Sequence, residues 1–276
     1  MSHAPDTTLG NMYKEHIGFI KAKNVEGILN QYAEDALLIG TLTPDRKPVY
    51  IRGRDQLREF FTNNFMNLKD LNVDLTQWAE DKDRLMIVEE VEVIGADDSK
   101  ANMRFYDNWF LKDGQIKIHF AGVVRYPDGT YADGTGFPEG EAPPKSEPPD
   151  SPLGNLYKEH IGFIHEKNVE GILNQYDENA LLIGTLTEGR KPRFVRGRDE
   201  LREFFNGNFM GLKDLDTKID QWAETENTLM MVESIDLETI DGQKINTSFY
   251  DNWVLENGKI IMHYAGVVRY PDGSYA

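Results

Sequence analysis

The chain contains no cysteine, and only six of its 276 residues are histidine. The first absence excludes disulfides, thiol nucleophiles and thiolate metal sites. The histidines show no HxH or HExxH spacing, so we expect no bound metal. Gly-rich phosphate loops and nucleophile-elbow motifs are missing as well. The sequence therefore argues against thiol-, metal- and nucleotide-dependent enzymes, and we expect no cofactor.

Long apolar runs and positive charge are also scarce. No run approaches the roughly 18 residues that span a bilayer, and the start, MSHAPDTT, lacks the basic and apolar regions of a signal peptide. The formal net charge is −17, which repels nucleic-acid phosphates and anionic lipid. We expect a cytoplasmic protein that binds neither nucleic acid nor membranes. An acidic surface does not disfavour a neutral, apolar small molecule as ligand.

The chain contains an internal duplication of the length of a domain. A shift of 144 positions aligns Leu9–Ala132 with Leu153–Ala276 without a gap, and 80 of the 124 aligned positions are identical. A period of this length is a domain, because solenoid repeats are far shorter. The Pro-, Gly- and acid-rich stretch 133–152 is predicted to be an extended linker. We assign domains to residues 1–132 and 153–276, and expect the two repeats to pair within one chain.

Each repeat shows helical patterns followed by strand patterns. Apolar spacing predicts a first helix from Leu9 to Ile20, and a second that is capped by Asn24 and extends to Tyr32. A strand, a third helix and four more strands are predicted over Leu37–Thr41, Asp55–Phe65, Val73–Ala79, Leu85–Val93, Ala101–Leu111 and Gln115–Arg125. This order indicates an α+β fold with helices packed on one face of a curved antiparallel sheet.

Two segments, VRGRDELREFF at the third helix and ENGKIIMHYAGVV at the last hairpin, resemble the SnoaL-like branch of the NTF2-like superfamily. The resemblance extends over both repeats. It implies two tandem cone-shaped α+β barrels, each a curved antiparallel sheet that encloses helices around a largely apolar pocket. The family includes polyketide cyclases and ketosteroid isomerase-like and epoxide hydrolase-like enzymes, and other members only bind ligands or proteins. The fold alone therefore does not choose the function.

Two catalytic patterns of that family are incomplete in this chain. Cyclase-like members often carry an aspartate two residues after the position of His119, where this chain has Ala121 and, in the second repeat, Ala265. Hydrolase-like members place an arginine and an aspartate at the positions that Glu90 and Glu92 occupy here. Neither activity is therefore transferred to this protein.

An aspartate and a histidine on the last two predicted strands are the best candidates for a reaction centre. A two-residue turn in KDGQ pairs Asp107 with Phe120, whereas a three-residue loop with a glycine bulge places Asp107 opposite His119. The family resemblance favours the second register, with His119 facing the pocket. The same reasoning places Asp251 opposite His263.

These residues suit acid–base chemistry, since a carboxylate fixes the imidazole tautomer and an unperturbed imidazole exchanges its proton near neutral pH. We therefore assign catalysis to Asp107, His119, Asp251 and His263. The substrate is predicted to contact Tyr13, His16, Tyr32, Trp109, Tyr157, His160, Tyr176 and Trp253. In this hypothesis the tyrosines and His16 polarise a carbonyl or hydroxyl. The alternative is a buried Asp–His pair that only fixes the sheet.

Three functions remain open on these residues. The first is cofactor-independent cyclisation or isomerisation of a mostly apolar, polyketide- or terpenoid-like substrate in a pocket of each domain. The second is a carrier that binds an apolar ligand without chemistry, and the third is an interaction scaffold whose interior is filled by its own side chains. Glu89 and Glu233 lie on an alternating strand and face either the pocket or solvent.

Overall fold

The computed structural model describes residues 4–43 and 45–276. His3 and Pro44 lie outside the described residues. The chain divides into two units between Tyr131 and Ala132. The first unit holds the first repeat except its last residue, and the second unit holds the segment 133–152 and the second repeat. Each unit combines helices with a six-stranded sheet, which confirms the predicted α+β class. We describe the two units separately.

Side-chain caps begin the two N-terminal helices of the first unit. Thr7 accepts a hydrogen bond from a backbone N–H of α1 (Thr8–Lys21), and Asn24 does the same for α2 (Val25–Asn30). Each cap satisfies one of the N–H groups that a helix start leaves without a partner. The predicted cap at Asn24 is therefore confirmed. A third helix, α3 (Gly53–Phe65), follows the second strand.

The sheet of the first unit has the strand order β2-β1-β6-β5-β4-β3. Its strands are β1 (Tyr32–Gly40), β2 (Val49–Arg52), β3 (Asp70–Asp81), β4 (Arg84–Ile94), β5 (Lys100–Lys112) and β6 (Gln115–Arg125). The sheet is mixed and not antiparallel throughout as predicted, because β1 runs parallel to β6 while all other neighbours are antiparallel. The apolar core lies between the helices and this sheet and includes Leu9, Ile28, Leu57, Phe61, Ile87 and Trp109.

The second unit repeats these helices and strands in the same order, with a short 3₁₀ helix over Glu188–Arg190 in addition. Its helices are α4 (Pro152–His165), α5 (Val169–Gln175) and α6 (Gly197–Asn208). Its strands are β7 (Tyr176–Gly184), β8 (Arg193–Arg196), β9 (Leu212–Glu224), β10 (Thr228–Thr239), β11 (Lys244–Glu256) and β12 (Lys259–Arg269). The strand order β8-β7-β12-β11-β10-β9 matches that of the first sheet.

Two local predictions differ from the structure. The helical spacing suggested that Tyr32 belongs to the second helix, but α2 ends at Asn30 and Tyr32 begins β1. The tyrosine is still fully buried, because both arrangements direct its ring into the core. No element was predicted over Val49–Arg52, a strand of only four residues at the edge of the sheet.

The turn between β5 and β6 contains the two residues Asp113 and Gly114, whose φ angles are 53° and 77°. Two successive left-handed residues are typical of a type I′ hairpin turn, for which Asp-Gly is a favoured sequence. Farther along the hairpin, Phe110 pairs with Ile118, so Lys117 is left as an extra residue in β6. Lys117 is therefore a β-bulge.

This bulge sets the register of the candidate residues. Asp107 lies opposite Ala121, and His119 lies opposite Trp109. Both predicted pairings of Asp107, with His119 and with Phe120, are therefore wrong. Since the observed register differs by two positions from the favoured one, the side chains of Asp107 and His119 still point to the same face of the sheet. They meet diagonally instead of directly across the strands.

Part of the predicted linker is bound to the second unit through Asp133. The Asp133 side chain is 1% exposed, and its Oδ2 accepts hydrogen bonds from Arg269 Nε at 2.8 Å and Ser248 Oγ at 3.0 Å. At the equivalent place of the first unit, Glu90 accepts hydrogen bonds from Arg104 and Arg125. The second repeat has serine at the positions of Glu90 and Arg104. Asp133 thus supplies the carboxylate that the second repeat lacks.

A second part of the same segment runs along β9, the edge strand of the second sheet. Ser146 and Ile219 exchange two backbone hydrogen bonds of 2.9 Å. Next to them, Lys145 Nζ lies 3.2 Å from Asp220 Oδ1. Burial raises the pKa of Asp220 to about 6, although Ser234 and Lys145 act in the opposite direction. The segment therefore covers an otherwise exposed sheet edge.

We expect Asp133→Asn to destabilise the second unit selectively, by about 3 kcal/mol, because one partner of a buried ion pair is removed. Hydrogen exchange measured by mass spectrometry should show faster exchange in β11 and β12 and unchanged exchange in β5 and β6. Glu147→Gln is the control, since Glu147 contacts Lys218 in the same segment but is 72% exposed. Equal effects of the two substitutions would contradict the anchoring role of Asp133.

Candidate active site

Each unit encloses a largely apolar cavity between its helices and its sheet. The cavity of the first unit has a volume of about 90 Å³ and that of the second about 70 Å³. Both are below the roughly 300 Å³ of a typical ligand pocket, so in this conformation they fit a ring-sized group. Half-buried apolar side chains line the outer part of the first cavity, namely Ile17, Leu42, Val49, Phe60 and Phe65.

A chain of hydrogen-bonded polar side chains forms one wall of the first cavity. His119 Nε2 lies 2.6 Å from Asp107 Oδ1, and His119 Nδ1 lies 2.7 Å from Tyr32 Oη. Glu89 is hydrogen-bonded to Asp107, and the Tyr13 hydroxyl donates to Glu89. We call these five residues the polar ladder. The second unit contains the same ladder, formed by Tyr157, Glu233, Asp251, His263 and Tyr176.

The imidazole of the ladder is neutral. Burial lowers the pKa of His119 to about 3 and that of His263 to about 3. Burial raises the pKa of Tyr32 well above 10, so the phenol keeps its proton and donates it to His119 Nδ1. His119 is then protonated on Nε2 and donates to Asp107. The predicted proton exchange at an unperturbed imidazole is therefore incorrect, because the ring is cut off from water.

The carboxyl groups of the ladder, and not its imidazole, have pKa values raised towards neutral pH or above it. Burial raises the pKa of Asp107 to about 7, against a lowering by its hydrogen bond from Glu89, and raises that of Asp251 to about 6. Burial and the neighbouring Asp107 raise the pKa of Glu89 well above its usual value of 4.5. Glu89 therefore stays protonated and donates a hydrogen bond to Asp107, as expected for two carboxyl groups that share one site. Asp107 is also the more accessible partner, with 17% of its side chain exposed against 6% for His119.

His16 faces the same cavity from helix α1. Its Nδ1 lies 2.8 Å from Gln31 Oε1, while the amide nitrogen of Gln31 donates to the carbonyl of Met12 at 2.9 Å. The amide orientation makes Gln31 Oε1 an acceptor, so His16 carries its proton on Nδ1. Burial and the neighbouring His119 lower the pKa of His16 to about 4. Its Nε2 therefore presents a free lone pair at neutral pH.

The remaining predicted contacts are distributed between the cavity wall and the layer behind it. Tyr13 and His16 line the first cavity, and Tyr157, His160 and Trp253 line the second. Tyr32 and Tyr176 lie behind the histidines and orient them. The Trp109 ring packs against His16, with 5.3 Å between ring centroids, and against His119 at 5.8 Å.

Glu89 and Glu233 are the site residues that the sequence analysis left undecided. Both are buried and face the cavity. Strand alternation contained the necessary signal: Glu89 shares its face with Leu85, Ile87 and Val91, which are buried. Glu90, on the opposite face, forms the ion pairs with Arg104 and Arg125.

In the part of the chain that the structure describes, no three His, Asp or Glu side chains are grouped so that they could hold a metal ion. No helix within residues 4–43 and 45–276 is long and apolar enough to cross a membrane.

Comparison with known proteins gives a family match over both repeats. The SnoaL-like domain matches residues 13–119 and 157–263. Similar solved structures include TerC co-crystallised with polyporic acid, at 16% identity over 42% of this chain and 90% of that chain, with a TM-score of 0.36. A Δ5-3-ketosteroid isomerase from Mycobacterium sp. shows 16% identity over 42% of this chain and 92% of that chain, with a TM-score of 0.37. None of the curated protein sequences matches this chain.

Proposed function

Because this chain belongs to the SnoaL-like domain family and each unit encloses an apolar cavity with a carboxylate at its wall, we propose that both domains are cofactor-independent acid–base enzymes. The substrate class is a small, neutral and mostly apolar molecule, and the reaction class is cyclisation or isomerisation begun by proton removal. Asp107 in the first domain and Asp251 in the second act as the base.

The observation that carries this proposal is the environment of Asp107. Its carboxylate lies at the wall of an apolar cavity, receives hydrogen bonds from His119 and Glu89, and has a pKa raised to about 7. A base whose pKa lies near the working pH is ionised and still accepts a proton readily. His119 and Tyr32 then act as positioning residues, because His119 donates to the carboxylate and Tyr32 orients His119.

One observation favours the scaffold alternative. The cavity volumes of about 90 and 70 Å³ leave no room for a whole polyketide- or terpenoid-like molecule unless side chains such as Phe60 and Phe65 move. A scaffold, however, gains nothing from a carboxylate with a raised pKa at a cavity wall, since burying ionisable groups costs stability. The energetic cost of the ladder therefore favours a role in binding or catalysis.

A chromogenic carbon acid tests the proposal without knowledge of the natural substrate. In 5-nitrobenzisoxazole, the base removes the C3 proton, the C–H electron pair forms the nitrile and the N–O bond breaks to give the coloured phenolate. We expect turnover that rises with pH and levels off above an apparent pKa of about 7 for Asp107 and about 6 for Asp251. A rate equal to that of the buffer alone would reject the catalytic role and leave the carrier and scaffold functions.

A further inference from the structure

Almost all N–H and O–H donors of the polar ladder already donate to acceptors within the protein. In the first cavity the Tyr13 hydroxyl donates to Glu89, the Glu89 proton is directed at Asp107, and His119 Nε2–H donates to Asp107. His16 Nδ1–H is used by Gln31. These four lining residues therefore offer no free N–H or O–H group to a ligand.

The same cavity does, in contrast, contain hydrogen-bond acceptors with lone pairs that no donor among the described residues uses. An ionised carboxylate has about four lone-pair positions, and Asp107 receives hydrogen bonds from two residues, His119 and Glu89. His16 Nε2 carries a lone pair and has no hydrogen bond to any residue of the described chain. Both acceptors lie at a wall that is otherwise apolar. A ligand that brings only a carbonyl finds no donor there, and leaving a buried acceptor without a donor is costly.

We infer that the first cavity selects ligands that carry a hydrogen-bond donor, a phenol or alcohol hydroxyl on a ring-sized apolar body, and disfavours ketones of the same size. This inference rests on the proposed function and narrows its substrate class. It also reverses the predicted role of Tyr13, His16 and Tyr32, which do not polarise a carbonyl. The hydroxyl of the natural substrate then donates a hydrogen bond to the ionised Asp107 carboxylate or to His16 Nε2.

We do not extend this inference to the second cavity, because its lining differs. Asn208 lines it and uses one of its two amide N–H groups on the carbonyl of Phe204 at 2.7 Å. The other N–H is a donor that the first cavity lacks, since Asn64, the equivalent residue, is exposed. The two cavities of one chain are therefore expected to differ in ligand preference.

Three molecules of similar size test the inference: phenol, toluene and cyclohexanone. Binding to the first cavity is followed by NMR through the ¹³C-labelled methyl group of Met103, which lines that cavity; the second repeat has Thr247 at this position. The signal is assigned by comparison with Met103→Leu. We expect phenol to bind at least about tenfold more tightly than either of the other molecules. Asp107→Asn adds an amide donor, and should reduce the ratio of phenol to cyclohexanone affinity to about one.

Each outcome decides the matter. Cyclohexanone binding as tightly as phenol, or toluene binding as tightly as phenol, would overturn the inference, and so would the absence of any shift of the Met103 signal. Elimination of 5-nitrobenzisoxazole, measured on the same sample, reports separately on the base. Turnover without a preference for phenol would reject this inference alone, whereas a preference for phenol without turnover, at concentrations of 5-nitrobenzisoxazole that shift the Met103 signal, would reject only the catalytic role.

Discussion

Replacement of both Asp107 and Asp251 by asparagine is expected to lower the rate of 5-nitrobenzisoxazole elimination about a thousandfold, the usual contribution of a general base. Asparagine has the shape of aspartate and still accepts the hydrogen bond from His119, so the fold should be kept. The measurement is the initial rate of phenolate formation at pH 8. A double variant that retains more than a third of the rate would show that these carboxylates are not the base.

His119→Gln combined with His263→Gln is the matched comparison. A glutamine side chain can donate to Asp107 in place of His119 Nε2–H, but it loses the hydrogen bond from Tyr32. We expect a decrease of only about tenfold, which corresponds to one neutral hydrogen bond. If the glutamine variant loses as much rate as the asparagine variant, the imidazole itself is the base, as the sequence first suggested.

The chain also provides an internal control, because each domain has its own ladder. Asp107→Asn alone should remove the activity of the first domain and leave that of the second. The remaining rate should then show one apparent pKa, that of the pair Asp251 and Glu233, raised above the usual value of an aspartate. A single substitution that abolishes all turnover would mean that only the first cavity is active.

Above pH 7 the protein is expected to lose stability as the pH rises. The pKa of Glu89 is raised well above 4.5 by burial and by Asp107, and the same holds for Glu233 beside Asp251. The folded state therefore binds protons that the unfolded chain has released. The free energy of unfolding should fall by about 1.4 kcal/mol per pH unit for each such proton, until the glutamates ionise in the folded state.

The buried histidines have the opposite effect at lower pH. Burial lowers the pKa of His16 to about 4 and that of His119 to about 3, so below about pH 6.5 the unfolded chain takes up protons that the folded state excludes. In each unit these two imidazoles oppose the two carboxyl groups of the ladder. We therefore expect stability to change little between about pH 4.5 and 6.5, and the loss to be confined to the alkaline side.

Glu89→Gln combined with Glu233→Gln should remove the alkaline loss, because glutamine has no proton to lose. Urea denaturation at pH 7, 8 and 9 measures it as the shift of the midpoint. Glu26→Gln combined with Glu170→Gln is the control, since these exposed glutamates pair with arginines and have lowered pKa values. The control should keep the wild-type pH dependence. Identical curves for both double variants would contradict a protonated glutamate in the ladder.

The duplication, the fold class and most elements could be predicted from the sequence, since they depend on apolar spacing and turn residues. β6, predicted as Gln115–Arg125, has those bounds in the structure. The register of its hairpin could not be predicted, because the bulge at Lys117 has no residue signature of its own. Tyr32 was assigned to a helix because Val25, Ile28 and Leu29 precede it at helical spacing, and spacing does not reveal where a helix stops.

The composition of the site was predicted better than its chemistry. Asp107 and His119 were identified, and they are in contact. Their protonation states depend on how deeply the ring is buried and on Glu89, which comes from a different strand. Such a three-dimensional neighbourhood is not visible in the spacing of residues along one hairpin. For the same reason, the orientation of Gln31 and its effect on His16 could only be read from the structure.

The carboxylate of Asp133 gives the two repeats a fixed order along the chain. It follows the end of the first repeat, yet it neutralises Arg269 in the second, where the intrinsic acid has become Ser234. Exchanging the repeats within the gene would leave Arg269 without its counter-charge. An isolated second domain that started at residue 153 would have the same defect. The segment between the repeats is thus a structural part of the second domain. Deletions there should be tolerated less well than its composition suggests.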